Sequence, residues 1–232
     1  MKISVLMPVY NEARTIREII RRVKDSGIVD ELIVVDDCSN DGTREILAEE
    51  SKRSGIKIYY HEKNRGKGAA VRTALKHAIG DIIIIQDADL EYNPKEYLRL
   101  IQPILDGTAE VVYGSRFLNS DYHIHCKNFF YLLHFLGNKF LNFLINIIYN
   151  VNMTDMETGY KVMKREILKD MPLFARGFEI EPEITAKLIR KGFKIREIPI
   201  SFFPRSYKEG KKISWIDGIA AVCVLLRYRL KE

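Results

Sequence analysis

Three acidic residues at alternate positions, Asp87, Asp89 and Glu91, follow a run of four isoleucines at residues 82–85. Alternate side chains of an extended segment point to the same side, so these carboxylates are expected to converge. Like charges beside an apolar core are unfavourable unless a cation lies between them. Mg²⁺ and Mn²⁺ prefer oxygen ligands and often hold substrate phosphates. The pattern therefore predicts a site for a divalent metal ion and a diphosphate.

The acidic site needs a framework, and the first half of the chain alternates predicted strands with predicted helices. The strands are expected at residues 3–7, 31–35, 56–60, 82–85 and 110–113. The helices are expected at residues 12–24, 43–54, 64–79 and 94–105, with Asn11 as the N-cap of the first. This order is typical of a doubly wound, mostly parallel α/β sheet, which binds ligands at the carboxyl ends of its strands.

Polar clusters follow four of these strands. The clusters lie at residues 8–12, 36–43, 64–68 and 87–91. One such cluster would be a turn, but four at the same edge of a sheet indicate a crevice. Two familiar nucleotide motifs are excluded. No GxGxxG follows the first strand, and Gly66-Lys67-Gly68 lacks both the earlier glycine and the Ser/Thr of a Walker A loop.

The second half of the chain begins with a predicted helix at residues 129–150 that is apolar apart from one polar stripe. The stripe recurs every four residues and consists of His134, Asn138, Asn142, Asn146 and Asn150. The pattern predicts an amphipathic helix, either packed on the domain or on a dimer partner, or lying in a membrane interface. No uninterrupted apolar stretch reaches about 18 residues, so a membrane-spanning helix is not expected. A strand at 193–203, a basic loop at 204–212 and a helix at 215–229 follow.

The composition is ordinary for a folded protein, since 47% of the 232 residues are hydrophobic and 29% are charged. The three cysteines are far apart and form no CxxC pair, which argues against a zinc site or disulfides and fits a reducing compartment. The apolar run at the N-terminus is too short for a signal peptide, so a cytoplasmic location is expected. The net charge of +6 is local rather than spread in a stripe, so nucleic-acid binding is not expected.

The polar segments, taken together, resemble glycosyltransferase family 2 in order and in spacing. They are Pro8-Val9-Tyr10-Asn11-Glu12, residues 36–43 (DDCSNDGT), residues 64–68 (NRGKG), Asp87-Ala88-Asp89 and residues 114–117 (GSRF). Within that family the chain is most similar to the polyprenyl-phosphate sugar transferases of the dolichol-phosphate mannosyltransferase type. The resemblance extends through residues 155–161 (DMETGYK) to Arg205, Lys211 and Lys212.

This resemblance implies one GT-A domain over residues 1–232, with a Rossmann-like, mostly parallel sheet flanked by helices. Residues 1–117 would bind the nucleotide sugar, and residues 118–232 would bind the acceptor and place C-terminal amphipathic helices at a membrane interface. The implied reaction takes a sugar from a donor of the UDP-glucose or GDP-mannose type, with inversion at the anomeric carbon and Mg²⁺ or Mn²⁺ as cofactor. The protein would be peripheral at the cytoplasmic face of a membrane, with a homodimer or a membrane-protein partner as further options.

The resemblance also implies roles for individual residues. Those expected to bind the nucleotide sugar are Pro8, Tyr10, Glu12, Asp37, Lys67, Gly68, Asp87 and Ala88. Asp87 and Asp89 would hold the metal ion with Glu91 as a third ligand. Gly66 and Gly68 would let the backbone approach the nucleotide closely. Those expected in catalysis are Asp89, Arg116 and Asp155. Those expected to bind the acceptor or its phosphate are Lys161, Arg205, Lys211 and Lys212.

The nature of the acceptor stays open at this point. Arg116 is expected to neutralise a phosphate, although a structural Arg–Asp pair would also explain it. A lipid phosphate, with a second pKa of about 6, is largely ionised and needs no base. A hydroxyl acceptor needs a carboxylate such as Asp155, Glu179 or Glu181. The basic loop and the apolar helix favour polyprenyl phosphate. The alternatives are a soluble transferase that acts on a hydroxyl of a polysaccharide or glycan, and a non-catalytic nucleotide-sugar-binding subunit.

Overall fold

A seven-stranded sheet forms the centre of the described part of the chain. The computed structural model describes residues 1–118, 129–205, 210, 212 and 215–230. The strands are β1 (Ile3–Val9), β2 (Glu31–Asp36), β3 (Lys57–Tyr60), β4 (Ile82–Ile85), β5 (Val111–Ser115), β6 (Lys161–Lys164) and β7 (Ile195–Pro199). The helices are α1 (Ile16–Asp25), α2 (Thr43–Ser54), α3 (Lys67–His77), α4 (Tyr97–Leu105), α5 (Phe129–Tyr149), α6 (Arg165–Lys169), α7 (Ile180–Arg190) and α8 (Trp215–Leu230), with a 3₁₀ turn at Pro94–Glu96.

The sheet is mostly parallel, as predicted. Its strand order is β3-β2-β1-β4-β6-β5-β7, and β6 runs antiparallel to both β4 and β5. The other pairings are parallel. Because β2, β1 and β4 are neighbours, the polar segments that follow them meet at one edge of the sheet.

The isoleucine run is the strand β4, and both of its faces are buried. Ile83 and Ile85 belong to the core on one side of the sheet, and Ile82 and Ile84 to the core on the other. A strand covered on both faces requires a continuous apolar run rather than an alternating one. Complete burial of each isoleucine stabilises the fold by about 1.5–3 kcal/mol. This burial holds the acidic segment that follows at the sheet edge.

The first helix begins later than predicted, because Asn11 does not act as its N-cap. Asn11 adopts a positive φ of 50°, and α1 begins only at Ile16. The Asn11 side chain instead accepts a hydrogen bond from the N–H of Asn40 at 2.9 Å. The Asn11 N–H in turn donates to Oγ of Ser39 at 2.8 Å. Asn11 therefore joins the loops after β1 and β2, two of the walls of the crevice.

Other predicted bounds differ by a few residues. The helix expected at 64–79 is α3, and it begins at Lys67 because Gly66 has a φ of +89°. The helix expected at 94–105 opens with a 3₁₀ turn that Asn93 caps by accepting from the N–H of Lys95. The strand expected at 193–203 is the shorter β7. The helix at 43–54 is confirmed residue for residue.

The helix α5 is present as predicted, but part of its polar stripe faces the domain. The Asn142 side chain donates to the carbonyl of Thr154 at 2.5 Å and accepts from the N–H of Met156 at 2.8 Å. Asn146 makes the same pair of bonds with the N–H and the carbonyl of Met153. The two amides therefore satisfy the hydrogen-bonding needs of backbone N–H and carbonyl groups in residues 153–156. These backbone groups take the place of the water that a polar stripe would otherwise contact.

The opposite side of α5 exposes its apolar residues. Phe143 is 59% exposed and Ile147 is 63% exposed. The neighbouring α8, which contacts α5 through a hydrogen bond from Tyr149 Oη to the carbonyl of Leu225, exposes Trp215 at 75%. The segment Leu132–Tyr149 has a mean hydropathy of 1.2, and 17% of it is buried. It is long and apolar enough to span a membrane, but the core helices of soluble proteins also meet this criterion. We define the apolar surface by the residues Leu132, Leu133, Leu136, Phe140, Phe143, Ile147, Trp215, Ile216, Ile219 and Leu226.

Candidate active site

A cavity of about 310 Å³ opens at the carboxyl ends of β1, β2 and β4. Thirteen of the residues singled out from the sequence line it: Pro8, Tyr10, Glu12, Asp37, Gly66, Lys67, Asp87, Ala88, Asp89, Glu91, Arg116, Arg205 and Lys212. Gly68, Asp155 and Lys161 lie behind the lining, and Lys211 lies outside the described residues. The four strand-end clusters thus do form one crevice.

The acidic segment after β4 is a turn rather than an extended strand. The turn includes Ala88 and Asp89, and Leu90 has a positive φ of 64°. In this geometry each carboxylate has its own partner. Asp87 Oδ1 lies 2.7 Å from Lys67 Nζ, and Asp89 Oδ2 lies 3.2 Å from Arg205 Nη2.

The expectation that three carboxylates converge is wrong for this conformation. Within residues 1–118, 129–205 and the described part of the C-terminal segment, no group of three His, Cys, Asp or Glu side chains is arranged to hold a metal ion. Glu91 turns instead to the backbone, where it accepts a hydrogen bond from the N–H of Arg205 at 2.7 Å. The closed turn explains this, because successive side chains in a turn do not share one direction as they do in a strand.

A divalent cation nevertheless fits the pair Asp87 and Asp89. Burial, together with the negative charges of Glu91 and Asp87, raises the pKa of Asp89 to about 8. A bound cation would offset both effects, because positive charge favours the ionised carboxylate. One or two carboxylates completed by substrate phosphates are the usual protein ligands of Mg²⁺. The two aspartates are therefore the residues that would hold the ion.

Behind the acidic turn lies a chain of buried charges that links β4 to α7. Lys67 Nζ lies 2.8 Å from Glu181 Oε1, and Glu181 Oε2 lies 2.6 Å from Lys161 Nζ. Burial alone would raise the pKa of Glu181, but Lys161 and Lys67 outweigh it and hold that pKa below its usual value. Lys161 also donates to the carbonyls of Met156 and Thr158. Lys161 thus shapes the turn at 156–158 and does not reach the cavity.

Arg116 and Asp155 form a buried bidentate ion pair. Arg116 Nε donates to Asp155 Oδ2 at 2.8 Å, and Arg116 Nη2 donates to Asp155 Oδ1 at 2.7 Å. The Arg116 N–H also donates to Oδ2, at 2.9 Å. Arg116 lines the cavity, whereas Asp155 is fully buried. The structural Arg–Asp pair is therefore present, and Asp155 is placed to orient Arg116 rather than to contact a substrate.

The two glycines at the start of α3 pack against the protein backbone. A Cβ on Gly68 would lie 2.5 Å from the carbonyl oxygen of Ala175, and one on Gly66 would clash with the carbonyl oxygen of Arg176. The N–H of Gly68 donates to the carbonyl of Gly177 at 3.2 Å. The segment at 175–177 thus lies against the start of the helix, and Gly66 also lines the cavity, so that the approach of a nucleotide to these glycines stays a prediction.

Asp37 holds a neighbouring loop in place while it faces the cavity. Its carboxylate accepts hydrogen bonds from the N–H groups of Arg65 and Gly66, at 2.9 and 2.6 Å for the shortest contacts. Asp37 Oδ1 also lies 2.6 Å from Nδ1 of the buried His61. These contacts connect the loop after β2 to the loop before α3.

Two residues of the predicted basic loop, Arg205 and Lys212, contact the first half of the chain. Arg205 Nη1 donates to Glu12 Oε2 at 2.9 Å. Lys212 Nζ lies 2.6 Å from Glu12 Oε1. The two cations therefore lie over the loop that follows β1, with their charge directed into the cavity.

The sequence motifs gave no role to several lining residues, which include Asn64, Tyr92, Glu157, Gly159 and Phe178. Among the described residues, Glu157 lines the cavity without an ion-pair partner. Its Oε1 is buried without a hydrogen-bond partner, and burial raises its pKa to about 7. Gly159 admits the carboxylate of Asp87, because a Cβ there would clash with Asp87 Oδ2. Both residues belong to the 155–161 motif, and this motif is the sequence feature from which their place in the cavity could have been predicted.

The architecture is the GT-A fold of sugar transferases. Glucosyl-3-phosphoglycerate synthase from Mycobacterium tuberculosis, in a structure with Mn²⁺, UDP and phosphoglyceric acid, is similar over all of this chain and 79% of its own, with a TM-score of 0.74 at 22% identity. The mannosyltransferase PcManGT of Pyrobaculum calidifontis, in complex with GDP-Man and Mn²⁺, is similar over 85% of this chain and 55% of its own, with a TM-score of 0.60 at 21% identity.

The chain belongs to glycosyl transferase family 2, whose model matches residues 4–171. Glycosyltransferase AglJ of Haloferax volcanii is 31% identical over 88% of this chain and 63% of its own length. A dolichol-phosphate mannosyltransferase of Pyrococcus furiosus is 30% identical over 91% of this chain and 59% of its own. The chain thus spans about three fifths of these two relatives.

Proposed function

We propose that the protein transfers a sugar from a nucleoside-diphosphate sugar to a polyprenyl phosphate at the cytoplasmic surface of a membrane. The observation that carries the proposal is one cavity lined both by the acidic turn and by the cations Arg116, Arg205 and Lys212. The acidic turn suits a donor diphosphate bound with a metal ion. The cations suit an acceptor that is itself anionic. The similarity to a dolichol-phosphate mannosyltransferase supports the same acceptor class.

On the donor side, Pro8, Tyr10 and Asp37 line the cavity where they would frame the nucleoside, and Asp87 and Asp89 would hold the metal ion. The bound Mg²⁺ or Mn²⁺ supplies positive charge to the diphosphate that leaves. Lys67 holds the Asp87 carboxylate in place from behind. A single displacement from the side opposite the diphosphate then inverts the anomeric carbon.

On the acceptor side, the phosphate is largely ionised at neutral pH, since its second pKa is about 6, so its oxygen can attack without a base. Asp155 orients Arg116 toward the cavity, where the guanidinium can contact a phosphate. Arg205 and Lys212 contact Glu12, and phosphate oxygens would compete with that carboxylate for them. The protein then contributes charge and orientation rather than proton transfer.

The apolar surface supports contact with a lipid bilayer. Its exposed Phe and Trp residues lie on α5 and α8, and α5 also holds the segment 153–156 next to Arg116 through Asn142. A polyprenyl chain is insoluble in water, so its phosphate is presented at such an interface. Exposed apolar patches of this kind mark interaction sites in proteins.

A hydroxyl acceptor is the second candidate, and Glu157 favours it. A carboxyl group in the cavity with a pKa raised to about 7 has the proton affinity of a general base. The two candidates differ in the acceptor that they accept, so one pair of substrates separates them.

The test combines donor binding with acceptor choice. Thermal shifts are measured with UDP-, GDP- and dTDP-sugars, with and without Mg²⁺ or Mn²⁺. A ligand at 100 times its Kd stabilises the native state by about 2.7 kcal/mol. The donor found is then supplied with polyprenyl phosphate or with polyprenol of the same chain length in vesicles. Transfer to the phosphate alone supports the proposal, and transfer to the alcohol alone supports the second candidate. A melt that no nucleotide sugar shifts would contradict both.

A further inference from the structure

Glu157 is a carboxyl group in the cavity that forms no ion pair with the described residues. It lines the cavity together with Arg116, and its Oε1 is buried without a hydrogen-bond partner in that part of the chain. The other cavity carboxylates have partners among the described residues. Glu12 contacts Arg205 and Lys212, and Asp87 contacts Lys67. An unpartnered buried oxygen costs free energy, so its persistence needs a ligand to explain it.

Each cation near Glu157 is paired with a carboxylate of another residue. Arg116 is bonded to Asp155, and Lys161 is paired with Glu181. These four groups come from the segment after β5, from the 155–161 turn with β6, and from α7. Since each cation is neutralised by an anion, Glu157 gains little from ionisation and bears the full cost of burial. Burial therefore raises its pKa to about 7, so that near neutral pH a large share of the side chain is a carboxylic acid with an O–H donor.

We propose that Glu157 is a specificity-determining residue of the acceptor subsite, where its protonated carboxyl group donates a hydrogen bond to the acceptor phosphate beside Arg116. This inference rests on the proposed function. A neutral donor next to a guanidinium completes a phosphate site without adding repulsion. An approaching phosphate further disfavours loss of the proton, because it adds negative charge. The motif DMETGYK thus contributes Asp155 to orient Arg116, Glu157 to contact the phosphate, and Gly159 to admit Asp87.

The variant Glu157→Gln separates a donor from a base. Glutamine keeps an N–H donor at every pH but cannot take up a proton. With polyprenyl phosphate as acceptor, kcat/KM of the native enzyme should fall about fivefold from pH 7 to pH 8, because the protonated fraction of a group with a pKa of about 7 falls by that factor. The Glu157→Gln enzyme should stay within about threefold of the native value at pH 6.5 and lose this fall. Glu157→Ala should lose about 10- to 100-fold at pH 6.5 through the acceptor, with the donor KM unchanged.

The control variant is Glu110→Gln, which alters an exposed glutamate that pairs with Lys164. It should leave the pH profile as it is. Loss of all transfer in Glu157→Gln with nucleotide binding retained would overturn the inference, because it would make Glu157 a base. Identical pH profiles of the native and Glu157→Gln enzymes, or a change in donor KM alone in Glu157→Ala, would overturn it as well. If the native enzyme transfers no sugar to polyprenyl phosphate, the proposed function itself is overturned. This assay uses the native enzyme alone, so its outcome is distinct from that of the variants.

Discussion

The ammonium group of Lys67 lies 2.7 Å from Oδ1 of Asp87, one of the two carboxylates that would hold the metal ion. The same ammonium lies 2.8 Å from Oε1 of Glu181 in the first turn of α7. Lys67 thus ties the acidic turn after β4 to a helix of the second half. It also compensates part of the negative charge of the turn before any metal ion binds.

Replacement of Lys67 should therefore destabilise the fold. Lys67→Met keeps the apolar stem but leaves Asp87 without its cation, and breaking a buried pair in this way costs about 3 kcal/mol. The free energy of unfolding is measured by urea denaturation. Lys76→Met changes an exposed lysine on the same helix and is the matched control. A loss no larger than that of the control would show that the buried pairing contributes little.

The Arg116–Asp155 pair should behave as one unit. Arg116→Ala and Asp155→Ala should each lower the rate of transfer and the stability, and the double variant should lose less than the sum of the two. A coupling energy of about 2 kcal/mol in the unfolding free energies is expected from a double-mutant cycle. Additive losses would mean that the two side chains act independently, and Asp155 would then need a different role.

The close approach of the segment at 175–177 predicts opposite effects at two glycines. Gly68→Ala places a Cβ 2.5 Å from the carbonyl oxygen of Ala175 and should destabilise the protein by about 1–3 kcal/mol. Gly137→Ala, inside α5 with no atom near the new Cβ, should stabilise it by up to about 1 kcal/mol. Thermal or urea unfolding of both variants measures the difference. Equal effects at the two positions would contradict the packing described at the start of α3.

Metal binding should stabilise the protein more at high pH than at low pH. The pKa of Asp89 is raised from 3.8 to about 8, so its contribution to stability is complete below about pH 4 and is lost as the pH rises toward 8. A divalent cation removes the repulsion that causes this loss. The rise in Tm on addition of Mg²⁺ should therefore grow from pH 5 to pH 8. In the Asp89→Asn variant this rise in Tm should be small and independent of pH. If Mg²⁺ raises the Tm of the native protein equally at pH 5 and pH 8, the prediction is contradicted.

The apolar surface predicts binding to vesicles. Phe143→Glu places a charge in the middle of the exposed side of α5, so it should reduce co-flotation with anionic liposomes at least several-fold and leave the Tm within about 1 °C. Leu98→Glu, an exposed position on α4 outside this surface, should bind like the native protein. Native protein that stays entirely in the soluble fraction would argue against membrane contact.

The sequence predicted the crevice well because its signals are local. Polar clusters that follow apolar strands mark the edge of a parallel sheet, and residues of all four clusters line one cavity. The pairings that connect distant parts of the chain were not predictable. Glu181 was considered as a base, yet it is locked between Lys67 and Lys161, which a linear pattern does not reveal.

The polar stripe of α5 shows the same limit in another form. A repeat of asparagines every four residues predicts a helix with one polar face, and that prediction is confirmed. The pattern does not say whether the face meets water or backbone. Asn142 and Asn146 bind the N–H and carbonyl groups of residues 153–156, so the apolar side points outward.

These two amides have a mechanical consequence. Asn142 and Asn146 clamp the segment that carries Asp155, and Asp155 aims the guanidinium of Arg116. The helix that we propose to contact the membrane therefore also holds the segment that orients Arg116. A small rotation or tilt of α5 on a bilayer would move the segment 153–156 and, through Asp155, the guanidinium group of Arg116. Docking on the membrane and the orientation of Arg116 would then be mechanically coupled.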